Sequence, residues 1–222
     1  MIDSHTEALI ESKLQLIEVL EIQQAQHGLL TPAHIAVELK NLRDEITSLR
    51  YQRTQLIFQA SQLDLQPPPP AQGLLLLVSP REPTKPLHSL GTYQAMDYHR
   101  ATPRRCWLIA TDGPSGSYET AEALAQHFQV YRVKSTIRTL ANGADAAETL
   151  ALVTSIYAQI AQDGELNPAT VIADITGGTK AMTAGMVLAC GATRAMQYML
   201  YQDRDLPSLP VLLRTYPPQE SL

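Results

Sequence analysis

The chain has 222 residues, 45% of them hydrophobic, which is enough to build a buried core and excludes general disorder. A net charge of −5 argues against a protein that coats duplex nucleic acid, since such binding rests on many Lys and Arg contacts to phosphates. A small anionic ligand held in one local site is compatible with that charge.

The N-terminus, Met1-Ile2-Asp3-Ser4-His5-Thr6-Glu7, lacks the basic start and apolar stretch of a signal peptide, and no apolar run approaches the ~20 residues that span a bilayer. A soluble, cytoplasmic protein with no membrane contact is expected. Cys106 and Cys190 lie in apolar segments and are read as reduced core thiols. The histidines occur singly, with no Cys/His pair at zinc spacing, so no metal site is predicted.

Residues 1–65 read as an antiparallel helical hairpin. In its second helix Ile35, Leu39, Leu42, Ile46, Leu49 and Leu56 recur every 3.5 residues, with Arg53 at the one missing position. Leu9, Ile10, Leu14, Leu16, Ile17 and Leu20 form a broader stripe on the first. Between the helices, Gly28 suits a left-handed helix end, Thr31 is placed to cap the next helix, and Pro32 is tolerated at its first position. Two helices alone bury too little to be stable, so dimerisation or docking is the expected role of this module. The stretches Ala25-Gln26-His27-Gly28 and Thr31-Pro32-Ala33-His34-Ile35 loosely resemble short adaptor hairpins that precede effector domains in some bacterial proteins.

Residues 66–72, Gln66-Pro67-Pro68-Pro69-Pro70-Ala71-Gln72, cannot continue a helix and read as a stiff linker. From residue 73 to 222 short apolar runs alternate with amphipathic stretches, the pattern of an α/β domain with a mainly parallel sheet. Strands are predicted at 74–78, 106–110, 130–133, 171–175, 196–201 and 211–215. Helices are predicted at 88–100, 116–128, 144–163 and 179–191. The last two strands are joined through residues 202–210, too short for a helical crossover, so a terminal antiparallel β-hairpin is expected.

The strongest chemical pattern is Asp174-Ile175-Thr176-Gly177-Gly178-Thr179-Lys180-Ala181-Met182, where a buried strand ends in a polar glycine turn and a helix begins. Glycines allow positive φ and close ligand approach, and the first helical N–H groups favour an anion. Thr176 and Thr179 add hydroxyls and Lys180 a positive charge. The competing reading is a tight turn with Thr179 as N-cap and Lys180 solvated. The concentration of Asp, Thr, Gly and Lys at a strand's carboxyl end, where ligands of open α/β sheets bind, favours a site.

Other phosphate motifs fit less well. A P-loop needs Ser or Thr after its lysine, whereas Lys180 precedes Ala181, and the first strand's turn, Ser79-Pro80-Arg81-Glu82-Pro83, lacks a dinucleotide G-x-G-x-x-G. Gly113-Pro114-Ser115-Gly116-Ser117 departs from a nucleophile elbow, because Ser117 stands where G-x-S-x-G requires glycine. It reads as a further polar loop at a strand's carboxyl end.

The Asp174–Met182 segment resembles the second signature motif of CARF (CRISPR-associated Rossmann fold) domains, the ligand-sensing modules of type III CRISPR antiviral systems. The order of elements agrees over about residues 73–216. The resemblance implies a Rossmann-like fold and a homodimer whose two glycine turns form one symmetric pocket for the second messenger cyclic tetra- or hexa-adenylate. It places Ser79, Pro80, Arg81, Thr176, Gly177, Gly178, Thr179 and Lys180 at phosphates and riboses, with Asp174 counted among the binding-site residues. Thr111, Asp112, Gly113, Ser115 and Gly116 would flank the adenines. No cofactor is implied. A cyclic ligand with an even number of repeats matches a two-fold axis.

CARF proteins often carry an HEPN ribonuclease with an R-x4-6-H motif on a helix. The formal match here, Arg81 to His88, contains Pro83 and Pro86, which exclude a helix. Three readings follow: a binding module whose hairpin passes the signal to an effector protein or a second copy; a ring nuclease that uses the ribose 2′-hydroxyl, with Lys180 as cation and Ser79 positioning the phosphate; or an unrelated α/β protein for another nucleotide or anion. Asp174 is expected to orient the turn.

Overall fold

A computed structural model describes residues 2–28, 31–62, 64–201 and 208–213. Its contacts divide the chain into two units, Met1–Pro69 and Pro70–Leu222.

The first unit holds α1 (Ile2–His27) and α2 (Ala33–Ala60). The ion pairs Glu7–Arg53 (2.9 Å), Lys13–Glu45 (2.9 Å) and Glu21–Arg43 climb one helix while descending the other, so the pair is antiparallel. Gly28 adopts the expected left-handed conformation, with φ of 54°. Thr31 does not cap α2: its hydroxyl donates to the carbonyls of Gly28 (2.6 Å) and Gln24 (3.2 Å), closing α1 instead. Pro32 occupies the N-cap position rather than the first helical one.

The buried positions of α2 are Ile35, Leu39, Leu42, Ile46, Arg50, Thr54 and Phe58. They match the predicted seam as far as Ile46. Beyond it the buried line advances in steps of four, along a ridge that winds around the helix, whereas a 3.5-residue seam stays on the contact side only in a left-handed supercoil. Leu49 is therefore half-buried and Leu56 is 52% exposed.

The second unit is α/β. Strands β1 (Gly73–Leu77), β2 (Arg105–Thr111), β3 (Lys134–Leu140), β4 (Val171–Asp174), β5 (Met196–Leu200) and β6 (Leu209–Leu212) form one sheet in the order β3-β2-β1-β4-β5-β6. All neighbours are parallel except β5 and β6, the expected terminal antiparallel pair. Helices α3 (Gly91–His99), α4 (Tyr118–Gln129), α5 (Ala146–Asp163) and α6 (Lys180–Cys190) complete the Rossmann-like alternation.

The central strand β1 reads Gly-Leu-Leu-Leu-Leu and is buried throughout, because alternate side chains feed two cores. Leu74 and Leu76 pack with Met96 of α3 and with Leu124 and Phe128 of α4. Leu75 and Leu77 pack with Ile156 and Tyr157 of α5 and with Met182 and Met186 of α6. Cys106 and Cys190 are buried free thiols in the two cores, and burial pushes both pKa values up.

Two strands differ from expectation. The strand predicted at 130–133 lies at Lys134–Leu140, while Val130 caps α4 at 69% exposed and Arg132 turns the chain with φ of 56°. As an edge strand, β3 carries Ser135, Thr136, Arg138 and Thr139 and offers no continuous apolar run. Strand β6 begins at Leu209 rather than 211, its Pro210 being tolerated at a sheet edge. Predicted positions 214 and 215 fall outside the described residues. The helix predicted from 88 opens as a 3-10 turn, Leu87–Ser89, with α3 proper starting at Gly91.

Candidate functional site

The strand order sets where a ligand can bind. From β1 the chain moves outward through β2 and β3, then returns to the other side of β1 as β4. Strands β1 and β4 thus flank the topological switch point, and their carboxyl-terminal loops diverge around a crevice, the ligand position of open α/β sheets. The loop after β1 contains Ser79, and the turn after β4 contains Thr176 to Lys180.

The two loops meet directly. The Gly178 N–H donates to the Ser79 hydroxyl at 2.9 Å, across 99 residues of sequence. Ser79 accepts in this bond, so its own proton remains to be donated elsewhere. Gly178 has φ of 77°, a left-handed conformation that favours glycine.

Gly177 has a different reason for being glycine. A Cβ there would run into the Leu77 carbonyl oxygen and stand 2.8 Å from the Thr92 hydroxyl, which itself donates to that carbonyl at 2.9 Å. Both glycines thus serve the chain's own geometry. Gly177 is demanded by contact with β1, and the Gly178 amide is already taken by Ser79.

The turn hydroxyls are structural as well. Thr176 Oγ1 accepts the Met199 N–H at 2.8 Å, tying the turn to β5. Thr179 is the N-cap of α6: its hydroxyl accepts the Met182 N–H at 3.2 Å and donates to the Gly143 carbonyl. The Met182 sulfur receives the Thr179 N–H at 3.5 Å in return. Groups placed to meet an anion include the Lys180 and Ala181 N–H groups, at the first two helical positions where no intrahelical carbonyl is available, the exposed Lys180 ammonium, and the Ser79 hydroxyl.

Asp174 lies beneath the turn, fully buried. Its carboxyl receives the Thr176 N–H at 3.0 Å on Oδ1 and the Gln197 side-chain N–H at 3.0 Å on Oδ2. Burial raises its pKa to about 6, with the Thr176 and Gln197 hydrogen bonds acting in the opposite direction. Its place and bonds are those of a residue that shapes the turn.

The loop after β2 comes near this arrangement without joining its hydrogen bonds. The Thr111 N–H and the Ser117 hydroxyl bond at 3.0 Å, the Ser117 N–H returns to Thr111 Oγ1 at 3.1 Å, and the Gly116 N–H donates to the Gly113 carbonyl at 2.9 Å. Asp112, Gly113 and Ser115 are exposed on this self-closed loop. Pro80 and Arg81 are exposed, and the Arg81 N–H is held by the Thr120 hydroxyl at 3.0 Å.

Gly143 links the pieces, and sequence reasoning missed it. A Cβ on it would stand 2.6 Å from Thr111 Cγ2 and 3.6 Å from Thr179 Cγ2, so the β3–α5 loop fits between the β2 loop and the glycine turn only because position 143 is bare. Glu148 holds that loop, accepting the Ala141 N–H at 2.7 Å and the Asn142 N–H at 3.0 Å. The Asn142-Gly143 pair after a strand was the available clue. Thr92, Ser117, Thr120 and Gln197 carried no such mark. Among the described residues no group of three or more His, Cys, Asp or Glu is placed to hold a metal, and no helix is long and apolar enough to cross a membrane.

No family model and no curated protein matches this sequence. Among solved structures, the chain is similar to a type III CRISPR defence DNA nuclease activated by cyclic oligoadenylate, with 20% identity and a TM-score of 0.42. That likeness covers 60% of this chain and 19% of the nuclease. The chain is also similar to Enterococcus italicus Csm6 bound to cyclic hexa-2′-fluoro-hexa-dAMP, with 12% identity, a TM-score of 0.46, and coverage of 60% of this chain and 34% of that one. The chain thus matches a minor part of either protein.

Proposed function

We propose that the α/β unit is a sensor that binds cyclic tetra- or hexa-adenylate at the β1/β4 crevice. It acts as a homodimer in type III CRISPR antiviral signalling, and the helical hairpin passes the bound state to an effector protein. The observation that carries this reading is the Gly178–Ser79 hydrogen bond, which brings the two motifs singled out in the sequence together at the switch point. Around that joint, a serine proton, the first amides of α6 and the Lys180 ammonium supply donors and positive charge for a phosphate.

The test is calorimetric titration of the purified chain with cyclic tetra- and hexa-adenylate, with size-exclusion chromatography reporting whether the species is dimeric. Tight binding of one ring size without turnover is expected. Lys180→Ala should weaken it by about 10- to 100-fold, the range for losing a hydrogen bond to a charged group, with little change in stability. Linear oligoadenylate products would assign the ring-nuclease chemistry, with Lys180 and Ser79 acting on the scissile phosphate. Binding of neither ring, with another nucleotide bound instead, would replace the proposal.

A further inference from the structure

A buried polar chain runs under the glycine turn, deeper than anything a ligand would touch. Asp174 and Gln197 are both 0% exposed and His99 is 4% exposed. Gln197 of β5 spans the gap between the other two: its side-chain N–H donates to Asp174 Oδ2 at 3.0 Å, and its carbonyl Oε1 lies 2.9 Å from His99 Nε2. Three elements, β4, β5 and α3, are thus joined through one amide, and the Thr176 N–H of the turn completes the chain at Asp174 Oδ1.

The direction of these bonds depends on one proton. An ionised carboxylate only accepts, so with Asp174 charged the Gln197 amide must point its N–H at Oδ2 and its carbonyl at His99, which then carries a proton on Nε2. A proton on Asp174 Oδ2 makes that oxygen a donor. Gln197 receives that proton when its amide turns over, which points its N–H at His99 and calls for a bare Nε2 with the His99 proton on Nδ1. Each arrangement pairs a donor with an acceptor at both ends of the Gln197 amide, whereas a turned-over amide against an ionised Asp174 sets two acceptors face to face in a buried space.

We propose that Asp174, Gln197 and His99 form a proton-directed relay that sets the charge and shape of the turn, with His99 and Gln197 as positioning residues for anion binding. In its link to a ligand this rests on the proposed function. An ionised Asp174 puts negative charge under a site for an anion, so binding draws a proton into the relay and tightens as pH falls. Burial lifts the Asp174 carboxyl to about 6, near enough to neutrality for this exchange. Other titratable and charged groups on the surrounding elements are Tyr93, Tyr98 and Asp97 of α3, Arg100 at its C-cap and paired with Asp97 at 2.8 Å, Tyr198 of β5, Tyr201 just beyond it, and Lys180 on the turn. Tyr201 has its pKa raised by burial and by Asp174.

The test uses the full chain. Histidine nitrogen NMR of the free protein is expected to show the His99 proton on Nε2 at pH 8 and its move to Nδ1 as Asp174 takes up a proton, with the Thr176 amide shifting at the same midpoint. Gln197→Met should uncouple His99 from that midpoint. Should that variant fail to fold, Asp174→Asn is expected to hold the turned-over arrangement at every pH. Calorimetry with cyclic tetra- and hexa-adenylate in two buffers of different ionisation heat should show proton uptake per site, with affinity changing by up to about tenfold per pH unit. A single His99 tautomer from pH 5 to 8 overturns the relay whether or not a ligand binds, and so does pH-independent ligand binding. If neither ring binds at any pH, the sensor reading fails while the His99 tautomer still decides the relay.

Discussion

The helical unit and the switch-point crevice of the α/β unit show two degrees of constraint. In α2 a single line of side chains has to be buried, and after Ile46 it leaves the heptad seam for Arg50, Thr54 and Phe58. At the crevice the turn from Thr176 to Thr179 has no comparable freedom. Gly177 is fixed by β1, Gly178 by Ser79, Thr176 by β5, and Thr179 by the β3–α5 loop. A helix surface offers neighbouring ridges of similar quality, whereas a turn held by four elements has one solution.

The largest effect that would sharpen this contrast is Phe58→Ala. Phe58 is 1% exposed, and its truncation should cost about 3–5 kcal/mol in chemical denaturation. A cost near zero would return the buried line to the heptad seam.

Next in size is Gly177→Ala, where the added methyl meets the Leu77 carbonyl and the Thr92 hydroxyl. About 1–3 kcal/mol should be lost, together with anion binding, because the strand or the turn must give way. If the alanine variant matches the parent in melting temperature and affinity, the turn is less constrained than described.

A further effect separates the units by pH. Asp174 has an ordinary carboxyl pKa of 3.8 when unfolded and about 6 when folded, so over that window the folded state holds the proton longer. Its contribution therefore falls as pH rises from about 4 to about 6. Asp174→Asn should flatten that part of the stability profile, while Leu56→Ala, at a 52% exposed seam position, should change stability by no more than about 0.5 kcal/mol at any pH. Denaturation curves of both variants across this range check the pair, and a sloping difference for Leu56→Ala would place it in the core.

Much of the fold was legible because it rests on local pattern. The apolar run at 74–78 read as a buried strand, one residue along from β1 at Gly73–Leu77, and residues 202–210 were too few for a crossover. The position of β3 was not legible, since an edge strand needs no continuous apolar face. The site divided in the same way. Ser79 and the turn Thr176 to Lys180 stood out by composition, but nothing in the sequence linked Ser79 to Gly178, Gly143 to Thr111, or Gln197 to His99.

By itself the sequence determined the element types, the alternation that makes an α/β sheet, and the strand end that carries the polar turn. Only the tertiary structure decided which strand lies beside β1, and therefore which loops share the crevice. It also decided that the two glycines serve the chain's own packing before any ligand. The physical reason is range: helix and strand patterns are written between residues a few positions apart. Strand order and hydrogen bonds such as that from Gly178 to Ser79 depend on how the whole sheet buries its two faces.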